Sequence, residues 1–134
     1  MEQRKQVILC VDDELNPLIL RRFVLEKCGY EVITATSGAE AMRVLAEDQP
    51  IDLVLTDLLM PVMTGAELAR QVKARHPGIP VVLISGVNEF SEDIKAANLF
   101  ISKLEGPEAM SRKISEVLKA HPSQPVPERK STAI

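Results

Sequence analysis

Short runs of consecutive apolar residues alternate along the chain with longer segments whose apolar positions recur every three or four residues. Runs of the first kind are typical of strands buried on both faces of a sheet, and segments of the second kind are typical of amphipathic helices. This alternation predicts an α/β fold in which helices cover both faces of a parallel sheet. The predicted strands are Val7 to Val11, Glu31 to Ala35, Asp52 to Thr56, Pro80 to Ile84 and Leu99 to Ser102.

Start and stop signals delimit the helices between these strands. Asn16 followed by Pro17 predicts the start of the first helix, and Gly29 predicts its end. Capping boxes are predicted from Ser37 with Glu40 for the second helix and from Thr64 with Glu67 for the third, and Pro107 is predicted to start the last helix. The apolar faces predicted to be buried are Leu20, Phe23, Val24 and Cys28 in the first helix and Met110, Ile114, Val117 and Leu118 in the last.

Length and charge narrow the possible classes of protein. The 134 residues fit one domain, which we expect to span residues 1–121, and the Pro-rich, polar residues 122–134 are expected to form a disordered tail. A net charge of -3 gives no basic footprint for nucleic acid, so no nucleic-acid partner is expected. No apolar stretch approaches the ~20 residues of a membrane span, which favours a cytoplasmic protein without a membrane partner. Cys10 and Cys28 lack metal or redox spacing and are expected to be small buried residues.

Acidic side chains follow two of the predicted strands. Asp57 comes directly after the run Ile51 to Thr56, and Asp12 and Asp13 follow the first strand. If these strands are parallel neighbours, the three carboxylates share one pocket at the edge where open α/β sheets bind ligands. Oxygen ligands of this kind suit Mg²⁺, or Mn²⁺ in its place, and a divalent ion would keep Asp57 ionised against the repulsion of its neighbours.

The remaining candidate residues follow the fourth and fifth strands. Carboxylates form aspartyl-phosphate intermediates, which makes Asp57 a candidate nucleophile. Phosphoryl transfer depends on positioning and on neutralising the phosphoryl oxygens, and the Ser85 hydroxyl, the Lys103 ammonium and the metal can each meet one side of the group. Taken alone, Asp12-Asp13 reads as a capping pair and Ser85 as a turn residue.

The chain resembles the receiver domains of two-component response regulators from about Gln6 to Ala120. The matching segments are Val11-Asp12-Asp13-Glu14, Asp57 to Gly65, Ile84-Ser85-Gly86 and Phe100-Ile101-Ser102-Lys103. The resemblance implies a flavodoxin-like, doubly wound sheet of five strands in the order 2-1-3-4-5 with five helices.

The resemblance also implies roles for individual residues. It implies that Asp57 accepts a phosphoryl group from a histidine kinase or a histidine phosphotransfer protein. It places Mg²⁺ on Asp12, Asp13, Asp57 and the backbone carbonyl of Leu59, and the phosphoryl oxygens on Ser85 and Lys103. It makes Phe100 a switch residue that changes rotamer on activation, although an aromatic in a short strand is as often simply core. The downstream protein target is unknown.

Two departures from the family pattern concern the surface that would report phosphorylation. The family's lysine is normally followed by a cis proline, whereas Lys103 precedes Leu104, for which a cis bond costs ~2.5–4 kcal/mol, so we expect a trans bond and a differently shaped loop. The stretch between Ser85 and Lys103 is shorter than usual by roughly one helical turn. The fourth helix, around Ser91 to Ala97, is therefore expected to be short or poorly ordered.

Several functions are compatible with these residues. The leading interpretation is a stand-alone receiver that switches partner binding and is not a turnover enzyme on other substrates. A receiver that belongs to or acts beside a hybrid histidine kinase is the closest alternative. The others are a constitutive binding module that uses the fold without phosphorylation and a phosphatase of the haloacid dehalogenase type, in which Leu59 occupies the position of the required second Asp.

Overall fold

The computed structural model describes residues 4–86 and 96–122. Five strands and four helices lie in these residues. The strands are β1 (Val7–Val11), β2 (Glu31–Ala35), β3 (Leu53–Asp57), β4 (Val81–Ser85) and β5 (Leu99–Ser102). The helices are α1 (Leu15–Lys27), α2 (Gly38–Ala46), α3 (Gly65–Arg75) and α4 (Pro107–Ala120). The predicted short helix around Ser91 to Ala97 falls mostly outside the described residues, as does the predicted tail.

All strand pairs are parallel, and the sheet has the order β2-β1-β3-β4-β5. The predicted flavodoxin-like fold is thereby confirmed. The order reverses between β1 and β3, and their register pairs Val11 with Thr56. The residues that follow this pair, Asp12 and Asp57, therefore lie side by side at the switch point of the sheet, where open α/β sheets bind ligands.

β3 and β4 each lie one residue later than the sequence pattern predicts. β3 runs from Leu53 to Asp57 and β4 from Val81 to Ser85. The reason is that Asp57 pairs with Ile84, and Ser85 pairs with Ser102, so the sheet ladder continues through both polar residues. Both candidate residues are thus held by strand backbone, which fixes their position more firmly than a loop would.

The core has one layer on each face of the sheet. α1 and α4 cover one layer, in which Ile8, Leu55 and Ile114 are fully buried. α2 and α3 cover the other, which contains Leu9, Val54 and Leu68. Each such side chain stabilises the fold by about 1.5–3 kcal/mol relative to exposure. The predicted buried stripe of the last helix is confirmed, since Met110, Ile114, Val117 and Leu118 are its buried residues.

The start of the first helix differs from the prediction. α1 begins at Leu15, and its N-cap is Glu14, which makes no side-chain capping bond. Instead the Glu14 N–H donates to Asp12 Oδ1 over 2.9 Å, so an acid at the end of β1 sets the turn into the helix. Pro17 occupies the third helical position, where its missing N–H would have had no partner inside the helix.

The predicted buried face of the first helix is also wrong in part. Leu18 and Leu25 are buried, whereas Leu20 and Phe23 are 61% and 57% exposed. Val24 is partly buried against the core, as predicted. The face toward the sheet passes through Leu18, Arg21 and Leu25, which share one side of a helix.

The two cysteines have opposite environments. Cys10 lies in β1 with no exposed surface, and burial raises the pKa of its thiol to about 12. Cys28 caps the end of α1 and is exposed, contrary to the prediction, with its thiol 3.3 Å from the Ser111 hydroxyl.

Capping at α2 and α3 follows the sequence to different degrees. Thr64 and Glu67 form the full predicted capping box. Ser37 accepts from the Glu40 N–H, but the Glu40 carboxylate turns to the Thr36 N–H, 2.6 Å away, and leaves that box half formed.

No cis peptide bond occurs in the described segments, so the predicted trans bond after Lys103 is confirmed. None of the helices in residues 4–86 and 96–122 has the length and apolar character to span a bilayer.

Asp52 connects β1 and β3 at the amino ends of the strands, whereas Asp57 lies at their carboxyl ends. Its carboxylate accepts two bonds from the Arg4 guanidinium, at 2.8 and 2.9 Å, and a third from the Val7 N–H at 2.7 Å. The Asp52 side chain is almost wholly buried, so these donors take the place of water. The carboxylate therefore ties the start of β1 to the start of β3.

We expect Asp52→Ala to lower the free energy of unfolding by about 2–3 kcal/mol, because it leaves the buried Val7 N–H and the Arg4 charge without their acceptor. Urea denaturation measures the change. The matched control is Glu26→Gln, which removes an exposed carboxylate paired with Arg22 and should cost at most about 0.5 kcal/mol. Equal losses in the two variants would contradict the role given to Asp52.

Candidate functional site

Three carboxylates meet at the carboxyl edge of β1 and β3. One oxygen of each of Asp12, Asp13 and Asp57 lies within 4.8 Å of the others. Asp12 and Asp57 are buried, whereas Asp13 is exposed to solvent. The structure therefore brings together the three acids that the sequence predicted to share a pocket, and the pocket is open on the Asp13 side.

Asp57 is an incompletely paired carboxylate. Its Oδ2 accepts from the Lys103 ammonium over 3.3 Å. Its Oδ1 is buried, and no hydrogen-bond donor from residues 4–86 or 96–122 reaches it. Burial and the neighbouring Asp12 charge raise the pKa of Asp57, against the opposing effect of Lys103 and, more weakly, of Arg21. The pocket thus holds an acid whose charged form lacks part of its stabilisation.

Asp12, by contrast, has both oxygens engaged. Oδ1 accepts from the Glu14 N–H at 2.9 Å, and Oδ2 accepts from Arg21 Nη1 at 2.6 Å. The Asp12 side chain has no exposed surface, and that of Arg21 is 13% exposed. Sequence reasoning missed Arg21. The available signal was its place three residues after Leu18 and four before Leu25, which puts a cation on the buried face of α1.

Ser85 and Lys103 come from the ends of β4 and β5. The Lys103 N–H donates to the Ser85 carbonyl over 2.8 Å, which holds the two residues together at the edge that carries Asp57. The structure therefore places all five predicted chemical residues at one edge of the sheet. Their roles in binding a phosphoryl group remain predictions.

Leu104 stands where the related pattern has proline, and the next residue, Glu105, fixes the loop after Lys103. Glu105 accepts from the Ser102 N–H at 2.9 Å and pairs with Lys113 at 2.7 Å. These two partners hold the pKa of Glu105 below its usual range. The loop is closed further by the Leu104 N–H, which donates to the Ser102 hydroxyl over 3.0 Å. The differently shaped loop expected from Leu104 thus has a defined structure of its own.

The loop from Asp57 to α3 passes close to the β3 backbone. The Gly65 N–H donates to the Leu58 carbonyl over 2.8 Å, and a Cβ on Gly65 would collide with the Asp57 carbonyl oxygen. Glycine is therefore required for this approach. At the tip, Val62 adopts a φ of 70°, a conformation that a β-branched residue rarely takes. Leu59 has a half-exposed side chain, and the metal-binding role of its carbonyl remains a prediction.

Phe100 lies in β5 and is partly buried. It packs against the small cluster of Leu58, Ala66 and Leu83 beside the Asp57 loop. This contact connects the ring to the residue after Asp57. Its predicted change of rotamer remains a prediction.

The residues of the pocket fit a hard divalent cation. Three carboxylates supply the oxygen ligands that Mg²⁺ prefers, and the buried Asp57 Oδ1 is a ligand atom with its lone pairs unused by the described residues. The cations Lys103 and Arg21 leave the pKa of Asp57 raised, so a bound cation would stabilise the charged form of this acid further.

Solved structures of similar proteins have the same fold. The response regulator TrrA from Thermotoga maritima, solved in complex with Mg²⁺-BeF, is 28% identical, with a TM-score of 0.79, and the match covers 84% of this chain and 99% of TrrA. The chemotaxis response regulator CheY4 of Vibrio cholerae is 28% identical, with a TM-score of 0.77, and 86% and 100% of the two chains are covered.

Curated relatives are longer proteins. The alkaline phosphatase synthesis transcriptional regulatory protein PhoP of Bacillus subtilis is 28% identical over 116 residues, which are 84% of this chain and 48% of PhoP. The transcriptional regulatory protein GlrR of Escherichia coli is 32% identical over 122 residues, which are 88% of this chain and 27% of GlrR. The chain thus spans half or less of these two relatives.

The family described as "Response regulator receiver domain" matches residues 8–115, from β1 into α4. That range contains all the residues of the pocket and the whole sheet except Val7, the first residue of β1. On the strength of this match and of the shared fold, the chain belongs to the response regulator receiver domains of two-component systems.

Proposed function

We propose that this chain is a phosphoacceptor in which Asp57 takes a phosphoryl group from the phosphohistidine of a histidine kinase or a histidine phosphotransfer protein. The observation that carries the proposal is the state of Asp57, a buried carboxylate with one oxygen near Lys103 and the other without a donor in the described segments. An oxygen with unused lone pairs can act as a nucleophile, whereas a fully hydrogen-bonded carboxylate is already satisfied.

The reaction assigns a role to each side of the site. A carboxylate oxygen of Asp57 forms a bond to phosphorus, the phosphorus–nitrogen bond of the phosphohistidine breaks, and the imidazole leaves with the electron pair and is protonated. The Lys103 ammonium, which lies 3.3 Å from Asp57 Oδ2, is proposed to pair with a phosphoryl oxygen once Asp57 has reacted. The Ser85 hydroxyl, one strand away, is proposed to donate to another.

Asp12, Asp13 and Asp57 are proposed to hold Mg²⁺, or Mn²⁺, with the Leu59 carbonyl as a further ligand. When bound, the ion supplies positive charge that neutralises the carboxylates and the phosphoryl oxygens. The acidic cluster supports this part of the proposal, because three carboxylates within 4.8 Å otherwise repel one another.

Receiver domains pair with histidine kinases and with downstream targets. For this chain we propose that the kinase contacts α1 and the loop after Lys103, where apolar side chains are unusually exposed. Leu15, Ile19 and Leu20 are each 61% exposed, and Leu104 is 79% exposed. We further propose that the downstream target is a protein, which responds to a change at Phe100 and the neighbouring surface. We also propose that the chain does not turn over other substrates.

The phosphatase interpretation has less support. It needs a second Asp two residues after the nucleophile, and that position holds Leu59, whose side chain is half exposed. Steady release of phosphate from unrelated monoesters would revive it.

Treatment with acetyl phosphate and Mg²⁺ should add one phosphoryl group to the wild-type protein and none to Asp57→Asn, because the amide cannot act as the nucleophile. Intact-mass analysis measures the adduct. The matched control is Asp48→Asn, which changes an exposed carboxylate and should be phosphorylated as the wild type is. An adduct on Asp57→Asn, or none on the wild type, would refute the assignment, and the second result would favour the constitutive binding module.

The raised pKa of Asp57 also predicts a change in stability. A carboxyl group whose pKa is higher in the folded protein stabilises the fold while protonated and loses that contribution as pH rises through the folded pKa. In chelator at pH 7, Asp57→Asn should therefore have a Tm a few degrees above that of the wild type, and the difference should shrink toward pH 4.

Thermal denaturation followed by circular dichroism measures this difference. Glu31→Gln, a control at an exposed carboxylate of β2, should leave the Tm nearly unchanged at both pH values. Saturating Mg²⁺ should raise the Tm of the wild type more than that of Asp57→Asn, because the ion stabilises the folded state only where it binds. A lower Tm for Asp57→Asn at pH 7 would show that the Lys103 contact outweighs the cost of burial.

A further inference from the structure

Arg21 gives the pocket a second cation besides Lys103. Its Nη1 lies 2.6 Å from Asp12 Oδ2, and the pair bridges α1 and the end of β1. Arg21 and Lys103 also line one groove, between α1 and the loop after β5. Lys103 contacts Asp57 and Arg21 contacts Asp12, so each buried acid of the pocket has one positively charged partner.

The burial of this pair makes it energetically important. Asp12 has no exposed side-chain surface and Arg21 is only 13% exposed, so solvent screens their attraction weakly. Without Arg21 the Asp12 charge would keep, among the residues that the structure describes, only the Glu14 N–H as a hydrogen-bond donor. Removing one partner of a buried pair is costly because the other charge is left uncompensated.

The same geometry conflicts with a divalent ion on Asp12. An ion bound there would share the carboxylate with the guanidinium, and two cations in a pocket of low solvent exposure repel one another. The guanidinium sits at the end of a long, flexible side chain on α1, so it can withdraw toward the open groove without disturbing the sheet.

We infer that Arg21 is a built-in competitor of the metal ion: it occupies Asp12 in the metal-free protein and is displaced when Mg²⁺ binds. This inference rests on the proposed function for the identity of the ion. It goes further in giving the chain a residue that lowers its own metal affinity while stabilising the metal-free fold. Phosphorylation would then require a higher Mg²⁺ concentration than it would with the three acids alone.

Replacing Arg21 by methionine, which keeps much of the apolar stem, tests the inference. Arg21→Met should bind Mg²⁺ about tenfold more tightly than the wild type, at the lower end of what an opposite charge at this distance does to a carboxylate's affinity for a cation. The control is Arg22→Met, which removes the same charge from the next residue, where the arginine pairs with the exposed Glu26. Its affinity should change less than twofold.

Isothermal titration calorimetry with MgCl₂ gives the affinities, and thermal denaturation gives a second readout. In chelator Arg21→Met should have a lower Tm than Arg22→Met, and Mg²⁺ should raise its Tm by more. Affinity equal to that of the control, or weaker, would overturn the inference. The titration also separates failure of this inference from failure of the proposed metal site. If neither the wild type nor Arg21→Met binds Mg²⁺ saturably, the metal site itself is overturned.

A measurement on the wild type covers the case in which Arg21→Met does not fold without metal. In chelator, ¹⁵N NMR should show slow rotation of the Arg21 guanidinium, as expected for a group held by Asp12, and fast rotation in saturating Mg²⁺. Arg22 serves as the internal reference and should rotate fast in both. Slow rotation of Arg21 in the Mg²⁺ form would show that it stays on Asp12, and displacement would be wrong.

Discussion

The parallel pairing of β1 with β3 is the constraint on which the site depends. By aligning Val11 with Thr56, it sets two acids next to each other at a point where both are buried. Burying like charges side by side opposes folding, and the surrounding elements each offset part of that cost. β5 contributes Lys103, α1 contributes Arg21, and the backbone after β1 contributes the Glu14 N–H. These three contributions therefore stabilise a site whose central contact, between the Asp12 and Asp57 carboxylates, is unfavourable.

Much of this arrangement could be predicted from the order of residue types. Continuous apolar runs identified the strands, and an acid or a lysine after a run places its side chain at the carboxyl edge whatever the details of packing. That is why Asp12, Asp57 and Lys103 could be grouped from the sequence. The positions of Ser85 and Asp57 inside the strands could not, because only the pairing with β4 and β5 extends the ladder through polar residues.

The first helix shows where sequence reasoning fails. Its apolar residues surround most of the helix, so periodicity does not select a face, and the caps suggested by Asn16 and Pro17 were overridden by the turn that Asp12 makes with Glu14. Arg21 was missed for a related reason: its partner lies nine residues earlier, on another element. The loop after Lys103 is similar, since Glu105 reads as an ordinary surface acid until Ser102 and Lys113 are found on either side of it.

The contrast between the two cysteines has a practical consequence. Thiol reagents attack the thiolate, and Cys10, buried in the sheet with a pKa near 12, presents none to solvent in the folded protein. Cys28 is exposed at the end of α1, so a maleimide dye added to the native protein labels that position alone. Cys10 becomes accessible only when β1 leaves the sheet. The sequence therefore provides one attachment point for a fluorophore, Cys28. The rate at which a second label reacts with Cys10 then measures how often the fold opens globally.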